Sequence, residues 1–310
     1  MRTAFIEELV RLADADERIF LVCGDLGFSV LEPFADRYPK RYLNAGVCEQ
    51  AMTGIAAGLA LTGKTVFTYS IGNFPILRCL EQFRNDVCYH NLNVKAVAVG
   101  GGLAYGSQGY SHHAVEDLAI LSTLPHITVA APGDPVEARA ITRELTRKPG
   151  PAYLRLGKAG EPVLHPAEME LVAGRSILAR DGNRATLIST GGMLATTLAA
   201  ADKLAAAGTP VRVVAMPYLV PLDEATIQAA VTETGAVLTV EEHAVGGLGA
   251  MVGEAIARFG RAVVFDPLRL DRIPLKTAGT QKQLREEHGL SAEQIAKRAA
   301  QAIERALPKR

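Results

Sequence analysis

The chain has 310 residues, enough for two domains of ordinary size, and its 33 Lys+Arg balance its 33 Asp+Glu, so no global field gathers nucleic-acid phosphates or anionic membrane. Its cysteines, Cys23, Cys48, Cys79 and Cys88, lie singly among apolar residues without a CxxC pair, which suits buried thiols better than a disulfide frame or a zinc site. Met1-Arg2-Thr3-Ala4-Phe5-Ile6-Glu7-Glu8 reads as an amphipathic helix rather than a signal peptide, and no run of about 18 uncharged apolar residues occurs, so a soluble cytoplasmic protein without membrane or nucleic-acid partners is expected.

In chain order, helices are expected at 3–14, 49–60, 75–90 and 135–147, beside or between short β-branched strands at 19–22, 65–68, 94–99 and 128–131. Strands apolar on both faces and separated by helices argue for a parallel sheet covered on both sides. From about 157 to 174 the periodicity lapses and Gly and Pro gather, as in a linker. Strands near 185–189, 211–215, 236–240 and 262–265 then alternate with helices near 193–207, 223–232, 247–259 and 291–306, and the fold class is α/β with two parallel-sheet domains.

Several residues stand out against this apolar frame. Gly24-Asp25-Leu26-Gly27 follows the first strand, where open parallel sheets place ligand loops, yet it lacks both GxGxxG spacing and a P-loop Lys-Ser/Thr pair; Asp25 either serves such a loop or closes a turn. Glu49 opens a helix of small and apolar residues, so its carboxylate must pair, bind a ligand or become neutral. Tyr69 and Phe74 flank the end of the 65–68 strand, where either ring can stack on a flat ligand or belong to the core.

The stretch Gly100 to His113 holds five glycines in its first ten residues, a backbone-entropy cost that suits a ligand loop at a strand end. Its His112 and His113 lack zinc-site spacing; they either donate to a polar ligand or cap the helix expected over 114–123. Arg155 is a lone charge in an apolar strand and needs an anionic partner, from a ligand or from an internal carboxylate. Glu241-Glu242-His243, followed by Gly246-Gly247-Leu248-Gly249, suits an interface or a helix cap better than acid-base work.

Taken together, Gly46-Val47-Cys48-Glu49-Gln50, the Gly-rich loop ending in Ser111-His112-His113, Leu124-Pro125-His126-Ile127-Thr128-Val129 with Pro132, and the Glu241 to Gly249 segment resemble the C-terminal two-thirds of transketolase. That resemblance implies a pyrimidine-binding domain over 1–160, a linker over 161–174 and a transketolase C-terminal domain over 175–310. It implies thiamine diphosphate as cofactor, with Glu49 on the aminopyrimidine ring nitrogen, Phe74 and Tyr69 stacking on the pyrimidine, and Asp25 in the cofactor loop. His112 would hold sugar oxygens, Arg155 and Arg2 a substrate anion. Gln108 falls where the family places an aspartate, so its contacts to sugar hydroxyls would differ.

The family's Gly-Asp-Gly with a downstream Asn, which holds the diphosphate and its Mg²⁺ or Ca²⁺, does not occur in this chain. A separate, diphosphate-binding transketolase subunit is therefore implied, in an α2β2 assembly, with this chain as the smaller half of a two-subunit transketolase acting on anionic sugars. Related alternatives are the β subunit of a 2-oxo-acid dehydrogenase and a deoxyxylulose-phosphate-synthase-like enzyme; a non-catalytic interaction partner is the remaining one.

Overall fold

A computed structural model describes residues 1–272 and 276–306. The strands are β1 (Ile19–Cys23), β2 (Tyr42–Asn44), β3 (Thr65–Ile71), β4 (Val94–Val99), β5 (Thr128–Ala130), β6 (Ala152–Leu156), β7 (Ile177–Arg180), β8 (Thr186–Ser189), β9 (Arg212–Ala215), β10 (Tyr218–Val220), β11 (Ala236–Val240) and β12 (Val264–Leu268). Among the described residues they form a seven-stranded sheet, β10-β5-β6-β4-β3-β1-β2, and a five-stranded sheet, β12-β11-β8-β9-β7. Pairing is parallel throughout except at β10 and β7, which run antiparallel to β5 and β9.

Alternation along the central strands divides the first core in two. Phe67, Tyr69, Val97 and Val99 pack under the helices Arg2–Ala15 and Pro135–Arg147, with Phe5, Leu9, Ile141 and Leu145. Val66, Val94, Ala96 and Ala98 face the opposite way, toward Met52, Ala56, Phe83 and Val87. That second cluster continues through Leu118 and Leu121 to Ile188, Val237 and Val252, so the two sheets share an apolar core.

Two sequence expectations are corrected here, and one strand is new. The helix expected over 75–90 is broken into Phe74–Leu77, Leu80–Gln82 and a wide-turned segment Phe83–Cys88, in which the Tyr89 N–H reaches back to the Arg84 carbonyl at 3.0 Å. Strand β10 leaves the second half of the chain to pair with β5, a long-range choice that no local pattern records. Cys48 is exposed, because it precedes Glu49 at the rim of the sheet, whereas Cys23, Cys79 and Cys88 are buried.

The segment from 157 to 176 carries no strand or helix, yet it is pinned in place. The Met1 ammonium meets Glu161 Oε2 at 2.7 Å, Leu164 N–H and His165 N–H donate to Asp134 Oδ2 at 2.8 and 3.1 Å, and His165 Nε2 meets Glu137 Oε1 at 2.7 Å. Among the described residues no helix is long and apolar enough to cross a membrane.

Candidate active site

Parallel register brings the C-terminal ends of β1, β3, β4 and β6 to one edge, with Cys23 beside Tyr69 and Val99 beside Leu156. Glu49 sits there as the first residue of the helix Glu49–Leu61, and it is 4% exposed. Its Oε2 meets Arg78 Nη1 at 3.2 Å, while its Oε1 is buried with no hydrogen-bond partner. Arg78 also lies over the Phe74 ring, 4.1 Å from its centroid, and Phe74 meets the His112 ring edge-on at 5.2 Å. Glu49, Arg78, Phe74 and His112 thus form a continuous line of side chains across the strand ends.

Arg78 is a site residue that the sequence reading does not single out. A signal for it exists, since Phe74-Pro75-Ile76-Leu77-Arg78-Cys79-Leu80 is otherwise apolar, as Arg155's own strand is. The break between the helices Phe74–Leu77 and Leu80–Gln82 puts Arg78 at the turn that faces Glu49.

The structure redirects other expectations. Tyr69 is 2% exposed and stacked on Phe5 at 6.1 Å, so strand alternation commits its ring to the core face opposite Met52 and the Glu49 helix; it does not join Phe74 as a stacking surface. Burial pushes the Tyr69 phenol well above its usual range. Asp25, at φ +56°, accepts a hydrogen bond from Asn44 Nδ2 at 2.8 Å and ties the loop after β1 to the end of β2, the turn-closing role. Gln108 is exposed on a short 3-10 turn, Gly106–Gln108. Arg2 is partly buried at the start of the first helix, where its charge opposes the rise that burial imposes on the Tyr105 phenol.

Arg155 finds an internal counter-ion. Its Nε stands 2.9 Å from Asp117 Oδ2, and its Nη2 donates to the carbonyls of Ala114 at 2.5 Å and Glu242 at 3.0 Å. Tyr153 donates its hydroxyl to the same Asp117 oxygen at 2.5 Å. Holding a substrate anion is therefore not what occupies this guanidinium; two buried charges need each other, and the chain supplies both. Lys158, two residues beyond β6, is exposed, has no carboxylate partner among the described residues and lies over the Tyr105 ring at 4.8 Å. It lines a cleft of about 150 Å³ with Gly101, Arg155, Gly191, Glu242 and Arg285.

Four of the five glycines of the loop after β4, all but Gly109, are required by close approach. A Cβ on Gly100, at φ +84°, would stand 2.1 Å from Tyr105 Cε2; one on Gly101 would stand 2.5 Å from Arg155 Nε. From the second sheet, Glu241 accepts Leu248 N–H and Gly249 N–H at 2.7 Å each, capping the helix Leu248–Phe259, and burial lifts its pKa to about 7. Glu242 is held by Arg285, through Nε at 3.1 Å and Nη2 at 2.8 Å, and by Gln281 Nε2 at 2.9 Å. His243 is fully buried and its pKa falls to about 4, chiefly through burial; Nδ1 donates to the Ala244 carbonyl and Nε2 accepts the Ala119 N–H. The capping and interface reading of this segment agrees with these contacts.

The residues present fit the pyrimidine half of thiamine diphosphate. A buried carboxylate oxygen without a donor, joined through Arg78 to the Phe74 ring, is the arrangement a ring N–H would complete. One group of carboxylates and histidine among the described residues, Asp134, Glu137 and His165, has metal-like spacing, but its oxygens already accept from backbone N–H groups and from His165.

A family model for the transketolase pyrimidine-binding domain matches residues 1–160, and one for the transketolase C-terminal domain matches residues 174–295. The chain belongs to the transketolase family. Similar members include one subunit of the apulose-4-phosphate transketolase of Phocaeicola vulgatus, 35% identical over 98% of this chain and 97% of its own. Another is the 6-deoxy-6-sulfo-D-fructose transketolase subunit SqwH of Clostridium sp., 32% identical over 98% and 95%. Among solved structures, an inactive beta4 tetramer of a split gene transketolase matches with a TM-score of 0.89 and 33% identity over 98% of this chain and 97% of that one. Transketolases of this kind are thiamine-diphosphate-dependent transferases.

Proposed function

We propose that this chain is the smaller-half subunit of a two-subunit transketolase, which moves a two-carbon ketol unit between an anionic ketose and an aldose. The observation that carries this reading is the unpartnered Oε1 of buried Glu49. Bound thiamine diphosphate would supply the carbanion chemistry; the protein contributes position and proton control. Glu49 would hold the proton at the pyrimidine ring nitrogen, Phe74 would lie against the ring, and His112 would hold sugar oxygens. Lys158, rather than the internally paired Arg155, suits the substrate's terminal anion. Phosphate and sulfonate both fit, in keeping with the substrates for which the two relatives are named.

A partner chain would carry the diphosphate and its Mg²⁺ or Ca²⁺. Exposed Val47 borders the Glu49 rim, Phe28 is exposed in the loop after β1, and Gly54, Ile55, Gly58 and Leu61 leave one face of the Glu49 helix open, surfaces that support an α2β2 assembly. The test is reconstitution with a diphosphate-binding partner and assay of ketol transfer against phosphorylated, sulfonated and unmodified ketoses. Glu49→Gln is expected to abolish transfer. Unchanged transfer would refute the cofactor-activation role, and tight thiamine diphosphate binding by this chain alone would refute the split site.

A further inference from the structure

The second half of the chain reaches the glycine-rich loop at two points. At the first, β11 delivers Glu242, and a Cβ on Gly102 would stand 2.7 Å from its Cγ. At the second, the segment that opens the helix Gln281–Glu287 abuts Gly106: Gly279 N–H donates to the Gly106 carbonyl at 3.3 Å, and a Cβ on Gly106 would stand 2.6 Å from Leu284 Cδ1. Arg285, on that same helix, grips Glu242 with two hydrogen bonds. Below the loop, Asp117 and Arg155 form the buried pair whose guanidinium also holds the carbonyls of Ala114 and Glu242.

We infer that Glu242 and Arg285 are a clamp through which the C-terminal half positions the loop Gly100 to His113, and so sets His112 against Phe74. The physical reason is geometric. The loop is built of glycines that allow close approach but add conformational freedom, so its shape has to come from outside. Glu242 touches the loop, and Arg285 and Gln281 fix Glu242 from the far side of the cleft. Arg155 ties the backbone of Glu242 to the backbone of Ala114, immediately after the loop, so one guanidinium joins the clamp to the loop's end. Arg155, Glu242 and Arg285 line the cleft beside Lys158, but each is already taken up by another group of the chain, so they are positioning residues. The consequence for catalysis rests on the reading of His112 as a sugar contact.

The test is amide hydrogen exchange on the full chain, with Arg285→Gln as the probe, because its side chain is 17% exposed and belongs to none of the apolar clusters. Exchange over residues 100–113 is expected to rise about tenfold, with the Glu49–Leu61 helix unchanged and Arg285→Lys restoring part of the protection. In the reconstituted complex the donor KM is expected to rise about fivefold, with kcat and cofactor affinity within a factor of two. Unchanged loop exchange in a folded Arg285→Gln chain overturns the clamp, and so does an increase spread evenly over the molecule. If Arg285→Gln does not fold, the same measurement on Glu242→Gln, which keeps the side-chain shape, decides in the same way. Faster loop exchange with an unmoved donor KM supports the clamp and instead removes His112 from the sugar site.

Discussion

Arg78 Nη1 stands 3.2 Å from Glu49 Oε2, so the buried carboxylate shares one oxygen with a half-exposed guanidinium and keeps the other free. The same guanidinium covers the Phe74 ring that the cofactor reading needs, which makes Arg78 a cover over both groups.

Removing that cover leaves a buried charge unpaired. Arg78→Ala is expected to destabilise the chain by about 1 kcal/mol, a modest figure because one partner is half exposed. Glu49→Gln in the same chain should recover most of the loss. Urea midpoints of the two single variants and the double variant check this; additive losses would mean the pair is not coupled.

Lys158 faces the cleft and makes no ion pair with a carboxylate among the described residues, although Glu161 and Glu242 line the same cleft. Lys158→Ala is expected to raise KM for an anionic ketose about tenfold while leaving an uncharged ketose within a factor of two, since one exposed charge contact is worth on the order of 1 kcal/mol. Steady-state kinetics on both substrates check it, and equal loss for both would remove Lys158 from anion recognition.

The interface between the halves should be acid-sensitive through His243. Its folded pKa is near 4 against an ordinary value of 6.5, so below pH 6.5 the unfolded chain binds a proton that the folded chain refuses. Stability from this residue is complete above pH 6.5 and is lost as pH falls toward 4. Between about pH 7 and pH 5 the loss is about 2 kcal/mol, and His243→Gln should show a drop shallower by that amount. Unfolding midpoints of both chains at the two pH values check it; parallel drops would refute it.

Gly58 has nothing within 4 Å of where a Cβ would stand, although it lies inside the helix Glu49–Leu61. In the chain alone, Gly58→Ala should raise stability by about 1 kcal/mol through helix propensity. If a second chain covers this face in the assembly, the same methyl should weaken association. Thermal unfolding and sedimentation of one sample measure both, and an unchanged assembly would show the face to be free.

The fold is legible in the sequence because it rests on local periodicity. Val66 and Phe67 bring apolar side chains to both faces of a covered parallel strand, and Glu49 to Leu61 has the composition of a buried helix, although Gly54, Ile55, Gly58 and Leu61 leave one of its faces exposed in the chain alone. The broken helix after Phe74 is not legible, because its breaks at Arg78 and Phe83 carry no proline or glycine. Tyr69 misleads for a simpler reason: at a strand end the two faces differ by one residue, and its parity with Phe67 places it under the sheet.

By itself the sequence determined the order of elements, the unusual carboxylate at Glu49, the histidine loop and the missing diphosphate motif, since each is a matter of residue type and spacing along the chain. Partnership was decided only in three dimensions. Whether Arg155 meets a ligand or Asp117 depends on residues 36 to 87 positions apart meeting across sheets, and what holds the glycine loop depends on Glu242 and Gly279, still farther along the chain, reaching Gly102 and Gly106. A charge must be neutralised where it is buried, and the nearest opposite charge is set by the packing of strands rather than by distance along the chain.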